Sequence, residues 1–128
     1  MKLLLDSCTF LWIVAEDPQL SANARAAFKD PSNEVFLSAV SAWEIAVKNA
    51  LGNMPLPEPP DRYVPAFREK HRIQSLPLDE QMVLQVVRLP SNHRDPFDRL
   101  LICQAIAEGM AIVTPDRLIA QYPVRTIW

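Results

Sequence analysis

A chain of 128 residues with no break in composition is expected to form one domain, residues 1–128, burying roughly two-thirds of its unfolded surface. Its 49% apolar content excludes a disordered chain, and no apolar run approaches the ~20 residues that span a bilayer. The formal charge of −2 excludes a globally basic nucleic-acid binder, and Cys8 and Cys103 are neither a disulfide framework nor a spaced metal pair, which fits a reducing cytoplasm. The opening MKLLLDS carries one basic residue and an acid within its apolar run, unlike a signal peptide.

In chain order, Lys2 to Leu5 predicts a buried strand with Asp6 at its carboxyl end. Thr9 to Ala15 predicts a short apolar helix, ended by Glu16-Asp17-Pro18. Ser21 caps a second helix, Ala22 to Phe28, and Asp30-Pro31-Ser32-Asn33 makes a turn before a strand at Val35 to Ser38. Ser38 or Ser41 then opens a helix carrying Trp43, Glu44, Ile45, Ala46, Val47 and Leu51, which Gly52-Asn53 ends. The prolines of Met54 to Pro60 predict an extended surface connection. Asp61 to His71 reads as a helix despite Pro65, Ile73 to Leu76 as a strand, and Glu80 to Arg88 as a helix capped by Asp79.

After a loop from Leu89 to Arg94, Asp95 stands where an N-cap belongs and Pro96 where the first helical residue belongs. Leu100, Leu101, Ala105, Ile106 and Ala107 keep an apolar helical surface that ends at Gly109. Met110 to Thr114 is nearly all apolar, as expected of a parallel strand covered on both faces, and Asp116 follows it. A turn of helix at Arg117 to Ala120 and a strand at Val124 to Trp128 complete the chain. Strands alternating with helices predict an α/β fold with an approximately five-stranded parallel sheet and helices on both faces.

In such a sheet the ligand crevice lies outside the carboxyl ends of the strands. Asp6, Glu44, Asp98 and Asp116 each fall at a strand's carboxyl end or in the helix that follows one. Two carboxylates ~4 Å apart repel by ~4 kcal/mol at an effective dielectric near 20, and a divalent cation relieves this. Mg²⁺ or Mn²⁺ prefers such oxygen ligands. Each acid also has a purely structural reading. Ser41-x-x-Glu44 fits a capping box, Asp95 and Asp98 suit a helix start, and Asp6 and Asp116 can simply begin loops. Those readings leave unexplained why Asp98 shares its stripe with Ile102 and Ala105.

Arg94, Arg99 and Arg117 flank the acids, with surface solvation and phosphate positioning equally available to them. Ser7 is a candidate contact to a metal-bound water or a phosphate, and as a nucleophile it has no histidine partner in view. His93 suits a solvated loop or a phosphate contact, and His71 a wet helix end. Trp12 and Trp43 read as core. Only Gly52 and Gly109 are present, too few for a glycine-rich phosphate loop.

LLLDS at 3–7, SAVSAWEIAVK at 38–48, HRDPFDRLLICQA at 93–105 and IVTPD at 112–116 resemble the four acidic motifs of PIN-domain ribonucleases, most of all the VapC-type toxins of bacterial toxin–antitoxin pairs. The resemblance covers the chain from first strand to nearly the last. It implies a single PIN-like domain, a Mg²⁺ or Mn²⁺ site and endonucleolytic cleavage of RNA. It carries the metal and catalytic roles onto Asp6, Glu44, Asp98 and Asp116, with Asp95 an ambiguous neighbour. It also implies a small antitoxin that blocks the site, and a homodimer. Cys8 stands where close relatives often have histidine or another polar residue.

Two other readings compete. A phospho-accepting receiver domain would need a lysine after a late strand, where this chain has Thr114-Pro115-Asp116 and Ile127-Trp128. A PIN-like module that binds RNA or a protein without cutting keeps the same motifs.

Overall fold

The computed structural model describes residues 1–90 and 95–128. Five parallel strands form one sheet in the order β3-β2-β1-β4-β5. They are β1 (Lys2–Leu5), β2 (Glu34–Ser38), β3 (Gln74–Leu76), β4 (Ala111–Val113) and β5 (Thr126–Ile127). Among the described residues the α-helices are α1 (Ser7–Val14), α2 (Ala22–Lys29), α3 (Ala39–Ala50), α4 (Pro60–Lys70), α5 (Glu80–Leu84) and α6 (Pro96–Glu108). A 3-10 turn at Gln85–Arg88 extends α5, so the expected helix over 80–88 is present with a tighter end.

The central strands alternate between two cores, as side chains on successive residues must. Leu3, Leu5, Leu37 and Val113 pack under α1, α2 and α4, against Phe10, Ile13, Ala24 and Val64. Leu4 and Ile112 face the other way, onto Leu101, Ile102 and Ala105 of α6. Both faces are therefore covered, which accounts for the unbroken apolar runs of β1 and β4. The strand order reverses direction between β1 and β4, so the topological switch point lies where their carboxyl ends meet.

Several element starts are set by side-chain caps. Asp6 caps α1, accepting the Thr9 N–H at 2.9 Å, so that helix begins at Ser7 rather than Thr9. Ser38 caps α3, because β2 runs directly into the helix. Ser41 is buried within the first turn, and its hydroxyl has no hydrogen-bond partner among the described residues. The expected Ser41–Glu44 capping box is therefore replaced by Ser38, leaving Glu44 without a capping task. Asp95 caps α6, Pro96 is its first residue, and Gly109 closes it in the left-handed region at φ 65°. The last turn of helix lies at Ile119–Gln121, two residues beyond its expected start, because Asp116 first organises the turn by accepting the Leu118 N–H.

Trp43 departs from the core reading. It is 53% exposed and rests edge-on against Phe97, with ring centroids 4.7 Å apart. Trp12 is partly buried, packed on the core and on Trp128. His71 is half-buried at the end of α4, with Nδ1 2.9 Å from the Phe67 carbonyl.

Gln104 fixes α6 over the sheet. Its side chain is fully buried, accepts a hydrogen bond from the Ser38 hydroxyl and donates to the Pro77 carbonyl at 3.1 Å. Gln104→Leu is expected to leave both partners unsatisfied and to cost about 2 kcal/mol in denaturant unfolding. An unchanged midpoint would show that these bonds add nothing to stability.

Candidate active site

β1 delivers Asp6 to the switch point and α1 holds it there. The carboxylate is 6% exposed. Its Oδ1 accepts the Thr9 N–H at 2.9 Å and the Cys8 thiol at 3.3 Å, and its Oδ2 accepts the Thr114 hydroxyl. The Thr114 hydroxyl in turn accepts the Asp116 N–H at 3.1 Å. A hydrogen-bonded chain thus runs across the switch point from the end of β1 to the loop after β4. Thr9 reinforces it, donating from Oγ1 to the Val113 carbonyl at 2.9 Å. Burial pushes the Asp6 carboxyl above its ordinary range, against the lowering pull of these donors. Burial, then the neighbouring Asp6 charge, pushes the Cys8 thiol far above its ordinary range, so it is no thiolate.

A second chain starts one residue later. The Ser7 hydroxyl donates to Glu44 Oε1 at 2.5 Å, and Lys48 Nζ contacts Glu44 Oε2 at 2.6 Å. Glu44 is buried among the apolar neighbours of α3, while the Lys48 side chain is 38% exposed. Its hydrogen bond to Glu44 raises the Lys48 pKa, and the charges of Glu44, Asp95 and Asp98 add to this against burial. The fields of two acids from α6 therefore converge on the lysine that holds the acid of α3.

Asp98 is half-buried in the first turn of α6, on the stripe of Ile102 and Ala105. Asp95 accepts the Phe97 N–H at 2.9 Å and the Asp98 N–H at 3.3 Å, so the ambiguous neighbour serves as the helix cap. Ser7 is committed to Glu44. Arg99 is a strut: its guanidinium donates to the carbonyls of Pro90 at 2.7 Å and Val86 at 3.1 Å, and to the Tyr122 hydroxyl. Arg117 is exposed. His93 and Arg94 lie outside the described residues.

Among the described residues, no three acidic, histidine or cysteine side chains stand together in a group that could hold a metal ion. What links the acids is hydroxyls and an ammonium, Thr114 on Asp6 and Ser7 with Lys48 on Glu44. The donor set is nonetheless hard oxygen, and its only cation in direct contact among the described residues is Lys48. A cavity of about 540 Å³ lies elsewhere, lined by Met82, Arg88, Leu89, Cys103, Ile106 and their neighbours along the later turns of α6. The acids define the candidate centre by their chemistry.

Lys48 and Thr114 were not among the expected site residues. The i, i+4 spacing of Glu44 and Lys48 on one helix was a usable signal. A threonine closing an apolar strand carried none.

The PIN-domain family model matches residues 3–124. The chain belongs to the PIN-domain family. This PIN domain is 30% identical over 130 residues to Ribonuclease VapC22 of Mycobacterium tuberculosis, covering 98% of this chain and 97% of that protein. It is 50% identical to Ribonuclease VapC16 of the same organism over 52 residues, 38% of this chain and 37% of that protein. Its fold matches a chain in the crystal structure of VapBC2 from Rickettsia felis bound to a DNA fragment from their promoter. There the TM-score is 0.72 at 16% identity, covering 98% of this chain and 97% of that one. The family supplies the fold, and the five-stranded parallel sheet agrees with it.

The raised Asp6 pKa has a consequence for stability. Below the ordinary carboxylate range both folded and unfolded chains hold the proton. As pH rises through that range the unfolded chain ionises first, so folding is progressively disfavoured until the folded-state carboxyl also ionises. Asp6→Asn is therefore expected to melt above the wild type at pH 7 in chelator, with the gap closing below about pH 4. A lower melting point at pH 7 would mean that the carboxylate stabilises the fold.

Proposed function

We propose that this PIN domain is a divalent-metal-dependent endoribonuclease, the toxin of a VapBC-type pair, in which Asp6, Glu44, Asp98 and Asp116 serve the metal and the chemistry. The observation that carries the reading is the switch-point chain itself. A buried carboxylate closes β1, and Thr114 ties it to the segment bearing Asp116, in a fold shared over nearly full length with a protein named a ribonuclease. Mg²⁺ or Mn²⁺ fits the hard oxygen donors and the need for positive charge around a desolvated carboxylate. When bound, the ion supplies charge neutralisation at the phosphoryl oxygens and activation of a water.

The chain's own residues prepare that chemistry. The Thr9 N–H and the Thr114 hydroxyl orient the Asp6 carboxylate, and Ser7 orients Glu44. Asp6 and Ser7 are adjacent at the β1–α1 junction, so the Ser7 hydroxyl ties Glu44 to the residue next to Asp6. Asp98 and Asp116 approach from α6 and from the loop after β4. Arg117 is exposed, whereas carbonyls occupy the Arg99 guanidinium, and on this reading Arg117 meets substrate phosphate.

The same reading includes an antitoxin partner, a homodimer and a cytoplasmic setting. Support for the antitoxin comes from the VapBC2 complex sharing this fold. Among the described residues no helix is long and apolar enough to cross a membrane. A non-cleaving RNA- or protein-binding PIN module is favoured by one observation, the absence of a ready three-ligand group among the described residues.

Cleavage of labelled RNA decides between them. Asp6→Asn and Asp98→Asn are each expected to lower Mg²⁺-dependent cleavage by about 100-fold or more while circular dichroism stays that of the wild type. Wild-type protein that leaves RNA intact across a Mg²⁺ and Mn²⁺ series would favour the binding module.

A further inference from the structure

Glu44 has both carboxylate oxygens engaged. Ser7 takes Oε1 at 2.5 Å and the Lys48 ammonium takes Oε2 at 2.6 Å, within a side chain that is 7% exposed. An ion that is to use this carboxylate must displace or share one of those donors. Of the two, the serine is buried and held by the start of α1, while the lysine is 38% exposed on a flexible four-carbon stem. The lysine is the donor that can leave.

We propose that Lys48 is a resident counter-cation of Glu44, exchanged for the divalent ion when the enzyme is loaded. The inference rests on the metal-dependent reading above. In the metal-free protein the ammonium offsets the charge of Glu44, and the fields of Asp95 and Asp98 act on it as well. It thereby offsets negative charge that Glu44 and the acids of α6 would otherwise present to one another. The same charge opposes an incoming cation at short range and occupies one of its ligand atoms. Lys48 therefore raises the metal concentration needed for activity. Once displaced, its stem returns the ammonium to solvent.

The test is metal binding, not turnover. Mn²⁺ titrated into the full chain and followed by electron paramagnetic resonance should bind Lys48→Gln on the order of tenfold tighter than wild type, the half-exposed charge being partly screened. Lys48→Arg keeps the charge and should bind like wild type. In chelator, Lys48→Gln should melt below wild type, and saturating Mn²⁺ should narrow or reverse that gap. A second measurement needs no variant. Acylation of the Lys48 amine in wild type, read by peptide mass spectrometry, should speed up at saturating Mg²⁺.

Equal or weaker Mn²⁺ binding by Lys48→Gln, or unchanged acylation at saturating Mg²⁺, would overturn the exchange while leaving the metal site intact. Asp6→Asn serves as the control for the underlying reading. If wild type binds no Mn²⁺ at all, the metal-dependent function fails and the exchange falls with it.

Discussion

A carboxylate at the end of a fully buried parallel strand has to be solvated by the protein, and much of this molecule's local design answers that requirement at Asp6. Leu3, Leu4 and Leu5 are completely buried, so the strand delivers its acid to a place that water barely reaches. The backbone of α1 supplies one donor and the Thr114 hydroxyl, directly after β4, another. Such donors lower the cost of burying the charge without cancelling it, as the raised pKa of the group records.

The rest of the centre is arranged so that each acid has a different local anchor. Glu44 is held by a hydroxyl and an ammonium, Asp116 is drawn in through its own backbone N–H, and Asp98 sits in the first turn of a helix whose cap is its neighbour Asp95. Helix starts suit this work because their free N–H groups and dipole favour negative charge. The division of labour between Asp95 and Asp98 follows from position. The cap turns its oxygen onto the helix's own N–H groups, whereas the charge of the residue three places on acts on Lys48 of α3.

The sheet, its parallel sense and its two covered faces were legible because they rest on periodicity. Unbroken apolar runs in β1 and β4 leave no face for water, and Gly109 stops α6 as its sequence position implies. The acids' placement at the carboxyl edge followed from the same logic. What escaped were features that depend on partners distant in the chain. Nothing local to Thr114 announces that its hydroxyl meets Asp6, and nothing local to Trp43 shows that Phe97 supports it at the surface. The choice of Ser38 over Ser41 turned on how abruptly β2 becomes α3, which a list of capping preferences does not contain. Arg99 looked like any cation beside an acid, yet carbonyls of the segment before α6 absorb its guanidinium.

The bond from Thr114 to Asp6 joins residues 108 positions apart, with β4 inserted beside β1 only after β2 and β3 have taken the other side. The centre is thus closed by the last quarter of the polypeptide. A chain still growing on the ribosome has the first acid in place but none of the later segment that completes its surroundings, so the centre cannot close before Thr114 has been added and β4 has docked beside β1.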